Sequence, residues 1–299
     1  MNPLSPRDLL AELASHPPHE QAVAASYLAV IVFVAADLVA AGRREPDRRR
    51  TQRAEARTAV SMAAGAVAVG VAYTAVFAAV WSLVARGAPD PLVELWDRHP
   101  VAALVFAFVA WDLGGWIYHL IGHRTRVGWA AHSAHHTGRE FNGSLALRQS
   151  WIPIHGLAHQ PLLALSGVSL TTVLVCIAVS NALQAVQHCS APLRLPRWVA
   201  AVLVTPDAHR HHHLVDGGAV NLGPVLTVWD RLAGTWQPGP VPPDARYGHR
   251  STPGCSAWRA EWTGWAELVG GIRGRGRGAA PDPGGVHPVS PSWEPVGAS

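Results

Sequence analysis

Between Gln149 and Leu193 the chain runs for 45 residues without one Asp, Glu, Lys or Arg. A helix needs about 20 apolar residues to cross a bilayer, so this stretch holds two crossings and a short turn. Other runs repeat the pattern: Ala24–Gly42 is broken only by Asp37, Val60–Ala85 has none of the four charged types, and Val101–Ile121 carries only Asp112 and His119 as ionisable groups. Charged residues make up 15% of the 299, against about 25% in an ordinary soluble domain. The expected fold is an all-α, polytopic membrane helical bundle.

Arg43–Arg57 holds seven Arg against three acids, and the first twenty residues are net negative. The positive-inside rule puts the N-terminus outside and this loop in the cytoplasm. The second helix then leads out, and Val101–Ile121 returns to a segment again bearing Arg124, Arg126, Arg139 and Arg148. Pro161 and Ser166-Gly167 offer a break in the long neutral stretch. Read as a hairpin it brings the chain back near His188, giving five membrane segments, or four with a re-entrant pair. Met1–Glu20 does not read as a signal peptide, because Asp8, Glu12 and Glu20 stand where a positive region belongs. The localisation expected is the plasma membrane of a bacterium.

Net charge is +4, and all 24 cationic side chains are Arg. They form no long positive face, which speaks against nucleic acid as a partner. Cys176, Cys189 and Cys255 have no metal-like spacing, and their odd number suits no disulfide framework.

Histidine is the unusual residue. Of 17, twelve fall between His119 and His213. His119 and His123 are four apart, on one helix face. His132, His135 and His136 project to one side by the same spacing, and His209, His212 and His213 repeat it, with a lone His188 between. Imidazole suits Fe, Zn, Cu and Ni, and nine such ligands exceed what one ion can hold, so two metals are expected. Asp112, seven residues before His119, faces the same way; a carboxylate supporting a ligating imidazole is a common device, against a plain helix-packing hydrogen bond. His155, His159 and, taken alone, His188 are equally well read as core residues, and His16, His19, His99, His249 and His287 as surface ones.

Trp198–Val204 reads as an interfacial helix. Gln237–Arg246 is proline-rich and Gly271–Gly285 is a Gly/Arg/Pro linker. The division expected is 1–242 as the membrane domain, with the histidines inside 101–236, and 243–299 as a largely disordered tail. Trp258, Trp262, Trp265 and Val269 fall on one face of a helix within that tail, suited to the membrane interface or to the protein's own surface.

The histidine pattern resembles the fatty acid hydroxylase / sterol desaturase superfamily of membrane di-iron oxygenases: His119/His123, His132/His135/His136, His188, then His209/His212/His213. Asp112–His119, Thr205–His209 and Asn221–Trp236 are similar to the family's flanking segments, and Asn142–Ser150 resembles its alkylglycerol monooxygenase branch. Arg124 departs from the Glu of that branch, no His stands at Ser150 as in some other branches, and His211 is extra. The resemblance implies two iron ions held by the nine histidines on the cytoplasmic side, in a histidine-rich cap. It also implies O2 as oxidant, a lipid substrate (fatty acyl, sterol, carotenoid or alkyl ether) and an external electron donor, a redox protein or a pterin. The reaction would be hydroxylation or desaturation at a lipid C–H bond. Two other readings compete: a di-zinc membrane hydrolase, and a non-catalytic metal-binding membrane protein. Catalytic zinc usually adds a carboxylate ligand, and Glu140, Asp207 and Asp216 lie outside the histidine groups.

Overall fold

The computed structural model describes residues 15, 17–152, 159–193, 195–215, 217–239, 241–242, 245–249 and 255–275. Helices dominate, and no strand occurs among these residues. In chain order they are α1 (Pro18–Arg44), α2 (Arg49–Ala85), α3 (Asp90–Arg98), α4 (Pro100–Arg124), α5 (Arg126–His136), α6 (Gln160–Leu165), α7 (Leu170–Gln187), α8 (Arg197–Val202), α9 (Pro206–His212), α10 (Val228–Ala233) and α11 (Ala257–Arg275).

Local chemistry sets the starts. Proline occupies the first turn of α1, α4 and α9, where a missing N–H costs nothing. Thr125, Ser169 and Thr205 cap α5, α7 and α9 by accepting the amides of Gly128, Thr172 and Ala208, each cap worth about 1 kcal/mol.

Four helices are long and apolar enough to cross a membrane: α1, α2 with the turn before it, α4 and α7. Ile31, Val71 and Val101 are exposed on them, as expected of side chains whose solvent is lipid. α7 packs on both α1 and α4, and α2 packs on α6. At one end of the bundle Trp96 of α3 donates to Ser166 O (2.8 Å), over a core of Trp81, Ala107, Leu163, Ala164, Val173 and Cys176.

Among the described residues the neutral stretch gives one spanning helix, not two. Trp151 donates to Met62 O (3.0 Å), in the first half of α2, and Ser166 lies at the opposite end, so the chain does change ends between them. The helix described on that limb is the six residues of α6, with Pro161 in its first turn and Gly167, φ +80°, two residues past its end.

The other end carries the cap. Asp37 of α1 accepts the amides of Gly143 (2.8 Å) and Ser190 (3.0 Å) and the Ser190 hydroxyl (2.6 Å). Glu55 of α2 pairs with Arg148, both buried. Two arginine-rich stretches thus differ from their sequence reading: Arg49–Arg57 is helical, and Arg148 is interior.

α11 takes the second of its two sequence readings. Its tryptophan spacing marks a helix, and that helix packs on the protein's own α5. Glu261 is fully buried and accepts from Ser150 Oγ (2.8 Å) and Trp151 N (3.1 Å). A β-carbon at Gly264 would collide with Ser133 Oγ and the Ala130 backbone, so only glycine permits this approach. Residues 257–275 thus pack against the cap. The remaining tail, 276–299, lies outside the described residues.

Candidate metal centre

α4 ends in His119 and His123, one turn apart. The chain reverses at Thr125, where a side chain at Gly128 would strike Ile121 O, and α5 returns with His132, His135 and His136. α7 delivers His188 at its C-terminus, and α9 with the residue after it adds His209, His212 and His213.

These nine rings converge as two groups. His119, His123, His132, His136 and His212 form one; His135, His188, His209 and His213 form the other. Within each, one nitrogen per ring lies within 4.8 Å of all the others. α5 divides its three histidines between the groups. No carboxylate belongs to either group among the described residues.

The proton positions follow from the neighbours. His119 Nδ1 donates to Leu222 O (2.7 Å) and His212 Nδ1 to Val220 O (3.0 Å). In the second group His135 Nδ1 donates to Arg148 O (3.2 Å) and His188 Nδ1 to Gln184 O (2.8 Å). A carbonyl only accepts, so each of these rings is protonated at Nδ1 and presents a lone pair at Nε2.

Burial, followed by neighbouring histidines, holds His132, His136, His209, His212 and His213 well below the ordinary imidazole range, and His135 likewise with His188 as its first charged neighbour. Burial brings His188 down to about 4, partly opposed by its bond to Gln184 O. Neutral imidazole is the metal-binding form.

The lone pairs face one another. His119 Nε2 stands 2.9 Å from His212 Nε2, and His188 Nε2 stands 3.3 Å from His135 Nε2. With both Nδ1 atoms protonated, no hydrogen bond joins either pair, and like charge meets like. His123 Nε2 is buried without a partner, as are the Nδ1 atoms of His209 and His213. A cation within each group removes the repulsion. With metal–nitrogen bonds of about 2.1 Å, adjacent ligands at a right angle stand about 3.0 Å apart. The residues fit metal binding.

Asp112 does not touch His119. Its oxygens accept from Val225 N (2.9 Å), Leu226 N (3.2 Å) and Trp229 Nε1 (2.8 Å). The carboxylate anchors the loop that carries Leu222, so its support of His119 is indirect. Two residues not singled out from sequence complete this loop. Asp230 accepts from Leu222 N (2.9 Å), Gly223 N (2.7 Å) and Thr235 Oγ1 (2.6 Å). Asn221, left-handed at φ +50°, donates to Ala208 O and Gln237 O, both at 2.8 Å. Asp230 had a visible signal, an acid among apolar residues, of the same kind that marked Asp112.

Around the second group, Arg148 donates to Thr137 Oγ1 (2.8 Å) and pairs with Glu55, while its carbonyl holds His135. Phe141 stacks over His188 with its centroid 6.0 Å away, under the Arg210 guanidinium at 4.9 Å.

The other histidines separate from these groups. His211 Nε2 faces Gly239 O (2.9 Å), and His159 lies edge-on to Trp111 at 4.5 Å. His155 lies outside the described residues. His249 contradicts its surface reading: it is buried, stacks on Trp129 at 5.4 Å and lies 3.5 Å from Glu267. The reason is that residues 245–249 fold back along the cap, where Val215 N donates to Arg246 O (2.9 Å).

Residues 104–235 match the model of the fatty acid hydroxylase family. Human alkylglycerol monooxygenase is 30% identical over 146 residues, covering 44% of this chain and 30% of that protein. The zebrafish (Danio rerio) alkylglycerol monooxygenase is 31% identical over 152 residues, with the same shares. Ornithine lipid hydroxylase of Rhizobium tropici is 28% identical over 186 residues, 60% of this chain and 55% of that one. The chain thus spans under a third of the human and zebrafish relatives. No solved structure matches it. The stretch that is similar to the fatty acid hydroxylase family contains all nine converging histidines and both carboxylates that brace their loop.

Proposed function

We propose that this chain is an integral-membrane oxygenase that hydroxylates a lipid C–H bond, with two iron ions held by the nine histidines. One observation carries the reading: two groups of buried and half-buried imidazoles, five and four, whose lone pairs converge without any carboxylate among the described ligands. An all-imidazole set accepts iron and lacks the carboxylate that usually completes a hydrolytic zinc site. Iron there supplies the redox chemistry that lets O2 attack an unactivated carbon.

The chain's own residues supply binding and shape. His119, His123, His132, His136 and His212 would hold one ion and His135, His188, His209 and His213 the other. Leu222 O, Val220 O, Arg148 O and Gln184 O keep four of these rings in the ligating tautomer. Burial keeps bulk water from the rings. Hydroxylation consumes O2, two electrons and two protons and yields the alcohol and water. No flavin, haem or iron–sulfur motif is visible in the sequence, so the electrons come from an external donor, a redox protein or a pterin. The relatives' names, an alkylglycerol monooxygenase and an ornithine lipid hydroxylase, support a lipid substrate, and the four apolar helices support one drawn from the bilayer. The arginines of residues 43–57 stand at the same end as the histidines, which supports a cytoplasmic cap.

Purified protein in lipid nanodiscs tests this by metal analysis and O2 uptake with a reductant and an alkylglycerol or ornithine lipid. Two iron per chain and O2 uptake matched by hydroxylated lipid are expected. Two zinc per chain, with hydrolysis and no O2 uptake, would overturn it.

A further inference from the structure

α8 and α10 form one unit. Val204 N donates to Val225 O (2.8 Å), Thr227 N to Val202 O (2.9 Å) and Thr227 Oγ1 to Ala201 O (2.7 Å). The unit presents large apolar side chains outward: Trp198 is 75% exposed and Leu232 78%, with Val202 and Val228 beside them. Isolated exposed residues mean little, but a contiguous apolar set marks an interaction surface.

Its position says with what. Pro224 packs against Gly115 of α4, and its carbonyl accepts from Gln187, the last residue of α7 (2.6 Å). The unit therefore begins level with the end of one spanning helix. Asp112, which holds Val225, Leu226 and Trp229, lies three residues earlier on α4, about 4.5 Å further along the helix axis. The same face of α4 continues through Val109 and Val105, which are 39% and 59% exposed. Spaced at i, i+4 and i+7, Val105, Val109 and Asp112 form one stripe. A lipid-facing strip of the bundle thus runs directly under this unit, which sits on the perimeter and not inside it. Arg197 and Arg231 are exposed at its rim, cations suited to phosphate headgroups.

From this geometry we infer that α8 and α10 form a ledge inserted into the cap-side leaflet, its occupant the headgroup and upper acyl region of phospholipid. Amphipathic surface elements bury their apolar face about 5–10 Å into that region. The ledge and the five-imidazole group are one piece, because the loop leading into α10 supplies both Val220 O and Leu222 O. The inference rests on α4 and α7 crossing the membrane and is independent of which metal the histidines hold.

Spin labels test it without any catalytic readout. Cys176, Cys189 and Cys255 are replaced, and single cysteines are introduced as Trp198→Cys, Leu232→Cys, Val105→Cys and Arg50→Cys. The protein is placed in vesicles of phosphatidylcholine and phosphatidylglycerol. Collision of each label with O2, which concentrates in lipid, is compared with that of a water-soluble nickel chelate. Position 105 is the lipid reference and position 50 the aqueous one. Labels at 198 and 232 are expected to collide more with O2 than with the chelate, as at 105. More frequent chelate collisions at either site, as at 50, would overturn the ledge.

Discussion

His119 and His212 are steadied by two carbonyls of a single loop, Leu222 O and Val220 O, which Asp112, Asp230 and Asn221 lock from three directions. His135 and His188 lean on carbonyls from unrelated places, Arg148 O beyond a short turn and Gln184 O within α7, while His209 and His213 have buried Nδ1 atoms without partners. Two rings of the five-imidazole group thus share one brace, whereas the four-imidazole group is held piece by piece. Damage to the 220–230 loop should injure the first group most, reaching the second only through Asn221, which holds Ala208 O beside His209, whereas the second should otherwise fail through separate local faults.

The largest effects come from the ligands. His135→Ala and His212→Ala should each abolish lipid oxidation with helical content intact. Metal analysis separates them: His135→Ala leaves three imidazoles and should drop to one metal per chain, while His212→Ala leaves four and should retain more. Full activity in either variant would remove that residue from the metal site. Next comes Glu55→Ala, which strands the buried Arg148 charge. Breaking a buried pair costs about 3–5 kcal/mol, to be read as a lower unfolding midpoint in denaturant. An unchanged midpoint would show that Arg148 finds another partner.

Asp230→Asn should weaken metal binding by roughly 10–100-fold, the usual range for residues that orient ligands, and only in the five-imidazole group. Equal loss from both groups would break the comparison. Asp112→Asn keeps one acceptor and turns an amide toward the N–H groups that the carboxylate receives, so a smaller loss, on the order of 10-fold, is expected. Unchanged metal affinity would leave Asp112 a packing residue. The smallest effect belongs to truncation after Arg275, which should leave activity and metal content unchanged; loss of either would make residues 276–299 part of the enzyme.

Much of this architecture was legible because its signals are local. Apolar runs mark α1, α2, α4 and α7, and i, i+3 and i+4 spacing marks the histidines that converge. What stayed hidden depends on partners distant in the chain. Arg148 reads as a topogenic surface charge until Glu55, 93 residues away, buries it. His249 looks like a solvated tail residue until Trp129 covers it. The division of His132 and His136 from His135 between two groups depends on where α9 and α7 end, and no spacing within α5 encodes it. Asp112 is visible as an acid within an apolar helix, but its bonding partners lie 113–117 residues onward.

The contact of Gly264 with Ser133 also orders events in time. Synthesis proceeds from the N-terminus, so all nine histidines leave the ribosome before the helix that backs α5. Closure of the cap therefore waits for a segment beyond the family-matched stretch. A chain stalled before residue 257 would present every imidazole yet lack the support that holds three of them in register.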